Sequence, residues 1–398
     1  MEEVLHAARR VEISAVGPSD LVFDGAEVHG PCEAVSPAAT RSPERPDIMD
    51  TAGTRYKVPR GGGFRAQAPK PTFPPMVPAP ERTRPLVPKE LVAEVARQSS
   101  RPTPPVLGTL VHALEERFGD ALEAVLHYGS CLHAGDPADG VVDLFAVVRD
   151  YGRAYPGAVL RAFNRLLPPN VFYIEVGSGA GKLRAKCAVL SRADFEAGTS
   201  RWFHSYVWAR FAQPCRVLHA RDEATLAWVH ETLARSVLTF HARVLPTMAG
   251  EEADAAGLWS KGLSLTYAAE LRPEGEARAH WLVERSLPDY ASLTAAAAPA
   301  LAPLLQESAP GRYRVAATEA ERRRCLARWR LRRWQGKLLS LLRLGKSALT
   351  FAGAADYVAF KIERHTGKAF EVTPFMRRHP FLSAPLALVK LLRRGALR

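Results

Sequence analysis

The sequence has few cysteines, and they are widely spaced. The 398 residues include five cysteines, none of them in a Cys-x-x-Cys pair. This absence disfavours a structural zinc site. Glu2 and Glu3 directly follow Met1, so the first residues match neither a secretory signal nor a transit peptide. A reduced, cytosolic compartment is therefore expected for this chain.

Long hydrophobic runs are also missing. The longest apolar stretch with almost no charge, Leu293 to Leu305, is interrupted by Pro299 and Pro303. A helix needs about 20 apolar residues to cross the hydrocarbon core of a bilayer. The chain is therefore not expected to cross a membrane, and contact with a membrane surface stays open.

Acidic residues are outnumbered by basic ones. Lys and Arg total 54 against 41 for Asp and Glu, which gives a formal net charge of +13. Such an excess favours an anionic partner, and nucleic acid, a nucleotide and an acidic membrane surface all qualify. With 47% hydrophobic residues, the chain is long enough to bury a substantial core in two domains or one large one.

Composition and periodicity divide the chain into four segments. Residues 1–105 are rich in Pro, Ala, Gly and charge and are predicted to be mostly disordered or extended. Residues 106–220 alternate helical and strand patterns. Residues 221–310 are predicted to be mainly helical, and residues 311–398 form a basic helical region with an amphipathic tail. The predicted class is α+β, a mixed core followed by a mainly helical domain.

The stretch from Tyr128 to Asp143 carries the first chemical pattern. Gly129 and Ser130 follow an apolar strand, and Asp143 stands near the start of the next strand. This resembles the skeleton of a polymerase-β-like nucleotidyltransferase core. In that skeleton glycine lets the backbone approach a triphosphate, serine and helix amides hold its oxygens, and carboxylates carry Mg²⁺. The same pattern is also typical of an ordinary strand–helix turn with a capping serine.

The second carboxylate of a two-metal site is missing from this strand. Val141 and Phe145 occupy the positions at which an Asp-x-Asp pattern would place it. Two-metal chemistry needs at least two carboxylates that face one point. Glu270, in the segment GLSLTYAAELRPEG, is the candidate for the missing ligand, and a solvated helix end is the alternative interpretation.

Two patterns in the following hairpin contain lysine. VGSGAGKL resembles a phosphate-binding P-loop, but its glycine spacing is wrong and Leu183 follows Lys182 where Ser or Thr belongs. We therefore predict a Gly-rich hairpin turn there. Lys186 lies inside the apolar strand RAKCAVL, where it points either inward to an anionic partner or outward from a half-exposed strand.

The C-terminal region has two basic patterns. From Pro385 onward, apolar residues occupy one helical face and Lys390, Arg393 and Arg394 the other. A basic amphipathic helix of this kind fits an anionic membrane surface, and its alternatives are packing on the domain and contact with nucleic acid. The run from Arg322 to Lys346 is suited to binding phosphates or RNA, or to packing through its tryptophans.

Taken in order, these segments resemble the mitochondrial translocator-assembly-and-maintenance family of phosphatidate cytidylyltransferases. The resemblance spans roughly Val125 to Gly353. Its motifs are YGS at Tyr128–Ser130, VDLFAVV with Asp143, VFY at Val171–Tyr173, the strand lysine of LRAKCAVLS, SYVWARFAQPCRVL with Arg210 and Pro214, LSLTYAAELR with Glu270 and Arg272, and LTFAG. The departures from the family are Cys131 for the second glycine of Gly-Ser-Gly, Ala209 for the glycine before the arginine, and Glu270 for an aspartate.

The resemblance implies that CTP reacts with phosphatidate to give CDP-diacylglycerol and pyrophosphate, in a bacterial relative of that family. It implies Mg²⁺ as the cofactor, with Asp143 and Glu270 as its ligands and Lys186 as a further catalytic residue. The residues implied to bind the nucleotide are Tyr128, Gly129, Ser130, Arg210 and Arg272. The implied membrane contact is the C-terminal helix, so a cytoplasmic, peripheral membrane location is expected.

Two other functions stay open on the sequence alone. One is a nucleotidyltransferase of the same fold that acts on another acceptor, such as a sugar phosphate, an RNA end or a protein. The other is a basic, catalytically inactive module that binds RNA or a membrane, which is favoured if Asp143 has no carboxylate partner. No specific nucleic-acid partner is expected for the first interpretation.

Overall fold

A six-stranded mixed sheet carries the residues that the sequence singles out. We describe it from a computed structural model, which covers residues 12–15, 87–129, 132, 137, 140–178, 181–270 and 276–350. The strands are β1 (Glu12–Ala15), β2 (Leu122–Tyr128), β3 (Val142–Val148), β4 (Asn170–Ser178), β5 (Gly181–Ser191) and β6 (Arg216–Ala220). Their order is β1-β4-β5-β3-β2-β6, in which only β3 and β5 run parallel. Because β3 is central, its apolar run VDLFAVV is buried almost throughout.

One face of this sheet is covered by short helices from the first half of the chain. They are α2 (Leu107–Phe118), α3 (Tyr151–Ala154) and α4 (Ala158–Leu166). In α2 the residues Leu110, Leu114 and Phe118 follow each other at intervals of four, so they lie on one side of the helix and are buried there. They pack with alternate residues of the strands, such as Leu144 and Val189.

The opposite face of the sheet meets the helical region. Here lie α5 (Arg192–Ser200), α6 (Trp208–Phe211), α7 (Glu223–Val244), α8 (Ala255–Tyr267), α9 (Glu276–Arg285) and α10 (Leu287–Leu301). Asp222 begins α7 by accepting a hydrogen bond from the Thr225 amide at 2.6 Å, and Asp254 caps α8 in the same way. A small antiparallel sheet follows, with strands β7 (Glu252–Asp254), β8 (Leu305–Ala309) and β9 (Arg312–Val315) in the order β7-β9-β8.

A 32-residue helix, α11 (Glu319–Thr350), spans both parts of the fold. Its Trp329 donates to the Arg243 carbonyl at 2.9 Å, and its Arg332 donates to the Phe203 carbonyl at 2.6 Å. Farther along, Arg343 donates to the carbonyl of Pro168 at 3.1 Å. The inward side of α11 is therefore fixed to the helical region at one end and to the β-sheet core at the other.

The structure confirms the predicted α+β class, with a mixed sheet followed by a mainly helical region. It also confirms the hairpin, because β4 and β5 pair antiparallel up to Ser178 and Gly181, which excludes a P-loop strand–helix arrangement there. The short strands β6 to β9 are not indicated by the sequence patterns. Within the described residues, no helix is both long and apolar enough to cross a bilayer.

The prediction that residues 1–105 are mostly disordered or extended needs correction at one helix. A helix, α1 (Lys89–Ser99), packs against α7 and α10, with Leu91 and Val95 buried. These two residues are four apart, so together they give an amphipathic helix a buried side even between proline-rich neighbours. The strand β1 pairs with β4. The boundaries near residues 220 and 310 stay predictions, and the tail after residue 350 lies outside the described residues.

Candidate active site

A row of polar residues crosses the sheet where β3 begins. Tyr128 of β2 pairs with Asp143 of β3, Asp143 pairs with Lys186 of β5, and Lys186 pairs with Tyr173 of β4. Directly opposed residues of neighbouring strands project from the same face of a sheet. We call these four residues the polar row. It brings together three of the residues that the sequence predicted for the site.

The polar row lies on the face that meets the helical region. Two positions farther along their strands, Leu126, Phe145 and Ala188 belong to the core shared with the helices. Phe211 of α6 packs on this face, with its ring centroid 4.9 Å from that of Phe145 and 5.9 Å from that of Tyr128. The row therefore stands at the polar edge of an otherwise apolar interface.

Lys186 points inward, which decides between the two orientations left open by the sequence. The residue is 5% exposed, and it stands between Asp143 and Tyr173 in the strand register. A buried ammonium group costs free energy unless anionic or polar groups compensate it. A carboxylate on the adjacent strand is the kind of neighbour that a lysine requires at such a position.

Gly129 has a structural reason to be glycine. Its φ angle is +89°, a conformation that residues with a side chain rarely adopt. A Cβ atom at this position would also lie 2.8 Å from Oδ2 of Asp143. The carboxylate of Asp143 is therefore in contact with the backbone of the turn that leaves β2. Ser130, the next residue, lies outside the described residues.

A second buried cluster is centred on Arg210 of α6. Its guanidinium makes a bidentate ion pair with Glu270, with N–O distances of 2.8 and 2.9 Å. Arg210 is 6% exposed, and it also donates to the Tyr206 carbonyl at 2.5 Å. Burial is the largest single influence on the pKa of Arg210 and lowers it, but Glu270 and the nearby tyrosines together outweigh burial, so the pKa is raised overall. The structure thus pairs two predicted site residues that lie 60 positions apart.

Tyr206 contacts two guanidinium groups. Arg210 stands 3.9 Å from the centroid of its ring, and Arg343 of α11 stands 4.3 Å from the same centroid. Arg343 is also buried, where desolvation lowers its pKa. Because Glu270 supplies one negative charge against two arginines, this cluster carries excess positive charge and suits an anionic ligand.

Three members of this cluster have no site role predicted from the sequence. Tyr206 and His204 come from the segment before α6, and Arg343 comes from α11. Burial, and then the charge of Arg343, lowers the pKa of His204 to about 3, so its imidazole is neutral at pH 7. Arg343 was included only in a basic run that the sequence analysis assigned to phosphates, RNA or packing. The sequence does contain a signal for the inward position of Arg343. Trp329, Arg332 and Arg343 recur at intervals that keep them on one side of a helix.

The two clusters are close enough to interact. Tyr128, the first residue of the polar row, packs its ring against that of Phe211, which directly follows Arg210 in the chain. Arg272, which the sequence analysis assigned to the nucleotide, lies outside the described residues. The candidate site therefore combines the polar row on the sheet with a second group, which we call the cation-rich cluster. Its members are Arg210 of α6, Arg343 of α11, Tyr206, His204 and Glu270.

The residues present fit Mg²⁺ only in part. Among the described residues, no group of three or more His, Cys, Asp or Glu side chains is arranged to hold a metal ion. Both carboxylate oxygens of Glu270 accept hydrogen bonds from Arg210, so Glu270 does not fit a second ligand position in this arrangement. Asp143 does fit the usual attachment of Mg²⁺, through one or two carboxylates together with the phosphates of the substrate.

Comparisons with known proteins leave the family of this chain open. The chain matches no protein-family model and no curated protein. Among solved structures it is similar to a nucleotidyltransferase-like protein from Exiguobacterium sibiricum, at 11% identity over 72% of this chain and 90% of that one, with a TM-score of 0.22. The two folds cannot be equated at that TM-score, so any functional assignment rests on the residues of this chain.

Proposed function

We propose that this chain is a Mg²⁺-dependent nucleotidyltransferase whose catalytic centre is the polar row. The observation that carries the proposal is the placement of Asp143 beside Lys186 on the two central strands, where β3 begins, and against the Gly129 turn. A nucleotidyl transfer needs carboxylates for the metal and cations for the phosphates, and the polar row supplies one of each, Asp143 and Lys186. An ordinary structural turn needs neither a buried lysine nor a carboxylate held against its glycine.

In this proposal Asp143 would hold Mg²⁺ that arrives with a nucleoside triphosphate. The ion, when bound, neutralises charge on the phosphates and on the departing pyrophosphate. Lys186 would stabilise the same charge from the sheet, and Tyr128, Gly129 and Ser130 would contact the triphosphate. A low-dielectric setting strengthens each of these interactions, since competing water is excluded.

We propose phosphatidate as the acceptor and CTP as the donor. An oxygen of the phosphatidate phosphate would attack the α-phosphorus of CTP, and the bond from that phosphorus to the bridging oxygen of the β-phosphate would break. The products are CDP-diacylglycerol and pyrophosphate. The acceptor is already an anion, so the site needs no general base and supplies mainly charge neutralisation and in-line placement. The resemblance noted in the sequence supports this choice, and so does the excess positive charge around Tyr206.

Glu270 has a conditional role in the proposal. It can act as a second Mg²⁺ ligand only if Arg210 releases it, because both of its oxygens are occupied by that guanidinium. An incoming phosphate group offers Arg210 a replacement anion with the same bidentate geometry. Arg272 is proposed to stabilise charge on the pyrophosphate or the lipid phosphate. Peripheral attachment to a cytoplasmic membrane surface, through the C-terminal tail, completes the proposal.

The acceptor and the donor are tested together with purified full-length protein. Labelled CTP, Mg²⁺ and phosphatidate in mixed micelles should give a lipid-soluble labelled product, and ATP, GTP or UTP in place of CTP should give much less. A sugar phosphate or an RNA end that accepts label in place of phosphatidate would assign the site to a different nucleotidyltransferase. No transfer to any acceptor would favour the basic binding module.

A further inference from the structure

The outer side of α11 exposes a continuous row of large apolar side chains. Trp334 is 65% exposed and Leu331 is 57% exposed, although both belong to a helix whose other side is buried. The exposed members of this row, which we call the outer stripe, are Leu331, Trp334, Leu338, Leu341 and Leu342. Their intervals of three and four residues keep them on one side of the helix over three turns. Single exposed apolar residues are ordinary, but a stripe of five is a surface that something covers.

Exposed positive charge lies beside the outer stripe and in the turns of the helix that precede it. The exposed cations on this helix are Arg323, Arg324, Arg328, Arg330, Arg333 and Lys337. From Arg322 to Thr350 the sequence contains no Asp or Glu. The outer side of α11 therefore combines exposed apolar area with positive charge. A partner that fits it has to offer both apolar groups and negative charge.

The core holds this stripe in a fixed orientation. Trp329, Arg332 and Arg343 bond to backbone carbonyls on the inward side, and Lys346 donates to the carbonyls of Leu167 and Pro169, each at 2.6 Å. Along the helix, Trp329 precedes the outer stripe, and Arg343 and Lys346 follow it. The apolar row is therefore a preformed surface that needs no folding transition before it meets a partner.

We propose that the outer stripe of α11 docks on the surface of an anionic phospholipid membrane. Leucine and tryptophan would enter the boundary between headgroups and acyl chains, and the bordering arginines would meet the negative headgroups. Nucleic acid fits the stripe less well, because its bases are bound by stacking aromatic rings and hydrogen bonds, which four leucines do not provide. A second copy of the chain would bring the same cations face to face.

The outer stripe lies on the side of α11 that faces away from the turn carrying Glu270. Gly336, on the inward side of α11, is so close to the turn after α8 that a Cβ atom would lie 2.0 Å from the carbonyl oxygen of Ala269. Glu270 is the next residue. One helix, about 10 Å across, therefore separates the membrane surface from the turn that carries Glu270.

Vesicle flotation with the full chain tests this proposal without any nucleotide or Mg²⁺. The protein should float with vesicles of phosphatidylcholine mixed with phosphatidylglycerol and remain unbound with phosphatidylcholine alone. The combined variant Leu331→Ser/Leu341→Ser should lose binding by about tenfold or more. The matched control is Val159→Ser/Leu166→Ser on α4, where the side chains are 64% and 81% exposed. Because neither variant alters a buried side chain, equal thermal unfolding of the two verifies that any loss concerns docking.

The C-terminal tail has to be separated from the outer stripe. The tail variant Leu388→Ser/Leu391→Ser/Leu392→Ser should still float measurably with the anionic vesicles, under conditions in which the stripe variant Leu331→Ser/Leu341→Ser does not. If the tail variant alone abolishes flotation and the stripe variant floats like the control, the proposal is wrong. It is also wrong if the stripe variant loses affinity for RNA while its binding to vesicles is unchanged, or if it changes only self-association.

Trp334 provides a direct probe of insertion. Vesicles whose acyl chains carry bromine quench the fluorescence of tryptophans that reach them. Quenching in the full chain should fall in Trp334→Phe, which keeps an apolar ring at this position and should still float. Unchanged quenching would place Trp334 outside the bilayer and contradict the proposal. The docking proposal and the enzymatic one fail separately, because flotation does not depend on transfer and transfer in detergent micelles does not depend on flotation.

Discussion

At the scale of single residues, the account depends on how Asp143 is held. Its carboxylate lies against the backbone at Gly129, and its strand neighbours are Tyr128 and Lys186. Glycine at this turn is needed both for the positive φ angle and for the close contact. The position of the carboxylate and the identity of residue 129 are therefore linked.

Substituting Gly129→Ala should displace Asp143. The new Cβ would collide with Oδ2, and the positive φ angle would add backbone strain of about 1 kcal/mol. We expect nucleotidyl transfer to fall by about tenfold or more while the fold is retained, as measured by initial rates and circular dichroism. Gly311→Ala is the matched control, since φ is also positive there and nothing lies within 4 Å of the new Cβ. Equal rates for the two variants would show that the contact with Asp143 has no consequence.

Glu123 is the most buried carboxylate of the described residues, and three arginines surround it. Arg149, Arg192 and Arg221 contact its oxygens at 2.6–3.1 Å, while its own side chain is 1% exposed. Glu123→Gln should lower the free energy of unfolding by about 2 kcal/mol, a value reduced from that of a fully buried pair because the arginines are partly solvated. Urea denaturation measures this loss. A change below about 0.5 kcal/mol would show that solvent screens the cluster.

At the scale of elements, the sequence predicts local structure well and long-range contacts poorly. The spacing of Leu110, Leu114 and Phe118 predicts α2, and the apolar run around Asp143 predicts β3, because both signals lie within one segment. The pairing of Asp143 with Lys186 depends on the parallel register of two strands about 40 residues apart, which no local pattern encodes. The pairing of Arg210 with Glu270 is likewise a product of packing between α6 and the end of α8.

The contact between α11 and the turn after α8 can be tested at Gly336. Glycine to alanine usually stabilises an exposed helix position by about 1 kcal/mol. Here the Cβ atom would meet the Ala269 carbonyl, so we expect Gly336→Ala to destabilise the protein by about 1–3 kcal/mol and to lower transfer by displacing Glu270. Gly108→Ala in α2, where nothing lies within 4 Å of the new Cβ, is the control. Stabilisation by Gly336→Ala in urea denaturation would contradict the close contact.

At the scale of the whole molecule, buried histidines should make stability depend on pH. Burial lowers the pKa of His127 to about 4 and the pKa values of His204 and His241 to about 3, from the usual 6.5. Below pH 6.5 the unfolded chain therefore binds protons that the folded chain does not. Stability present above pH 6.5 is lost as the pH falls toward these folded-state values.

The loss should approach about 1.4 kcal/mol per pH unit for each histidine below its unfolded pKa. Urea denaturation at pH 7 and pH 5.5 measures it. His241 packs edge-on against the rings of Phe240 and Trp259, so His241→Leu keeps an apolar side chain there and should reduce the pH dependence by one histidine's share. An unchanged slope in this variant would show that His241 does not titrate on unfolding.

Nucleotidyl transfer at the polar row can be tested by comparing the transfer rates of three proteins. Transfer of label from CTP to phosphatidate in the presence of Mg²⁺ is measured for the unmodified protein, for Asp143→Asn and for Asp120→Asn, in which the same change is made at an exposed position. We predict that Asp143→Asn lowers the rate by about 10²-fold or more, since the carboxylate charge is lost where the phosphates bind, and that Asp120→Asn leaves it unchanged. Equal rates for all three proteins would contradict the account.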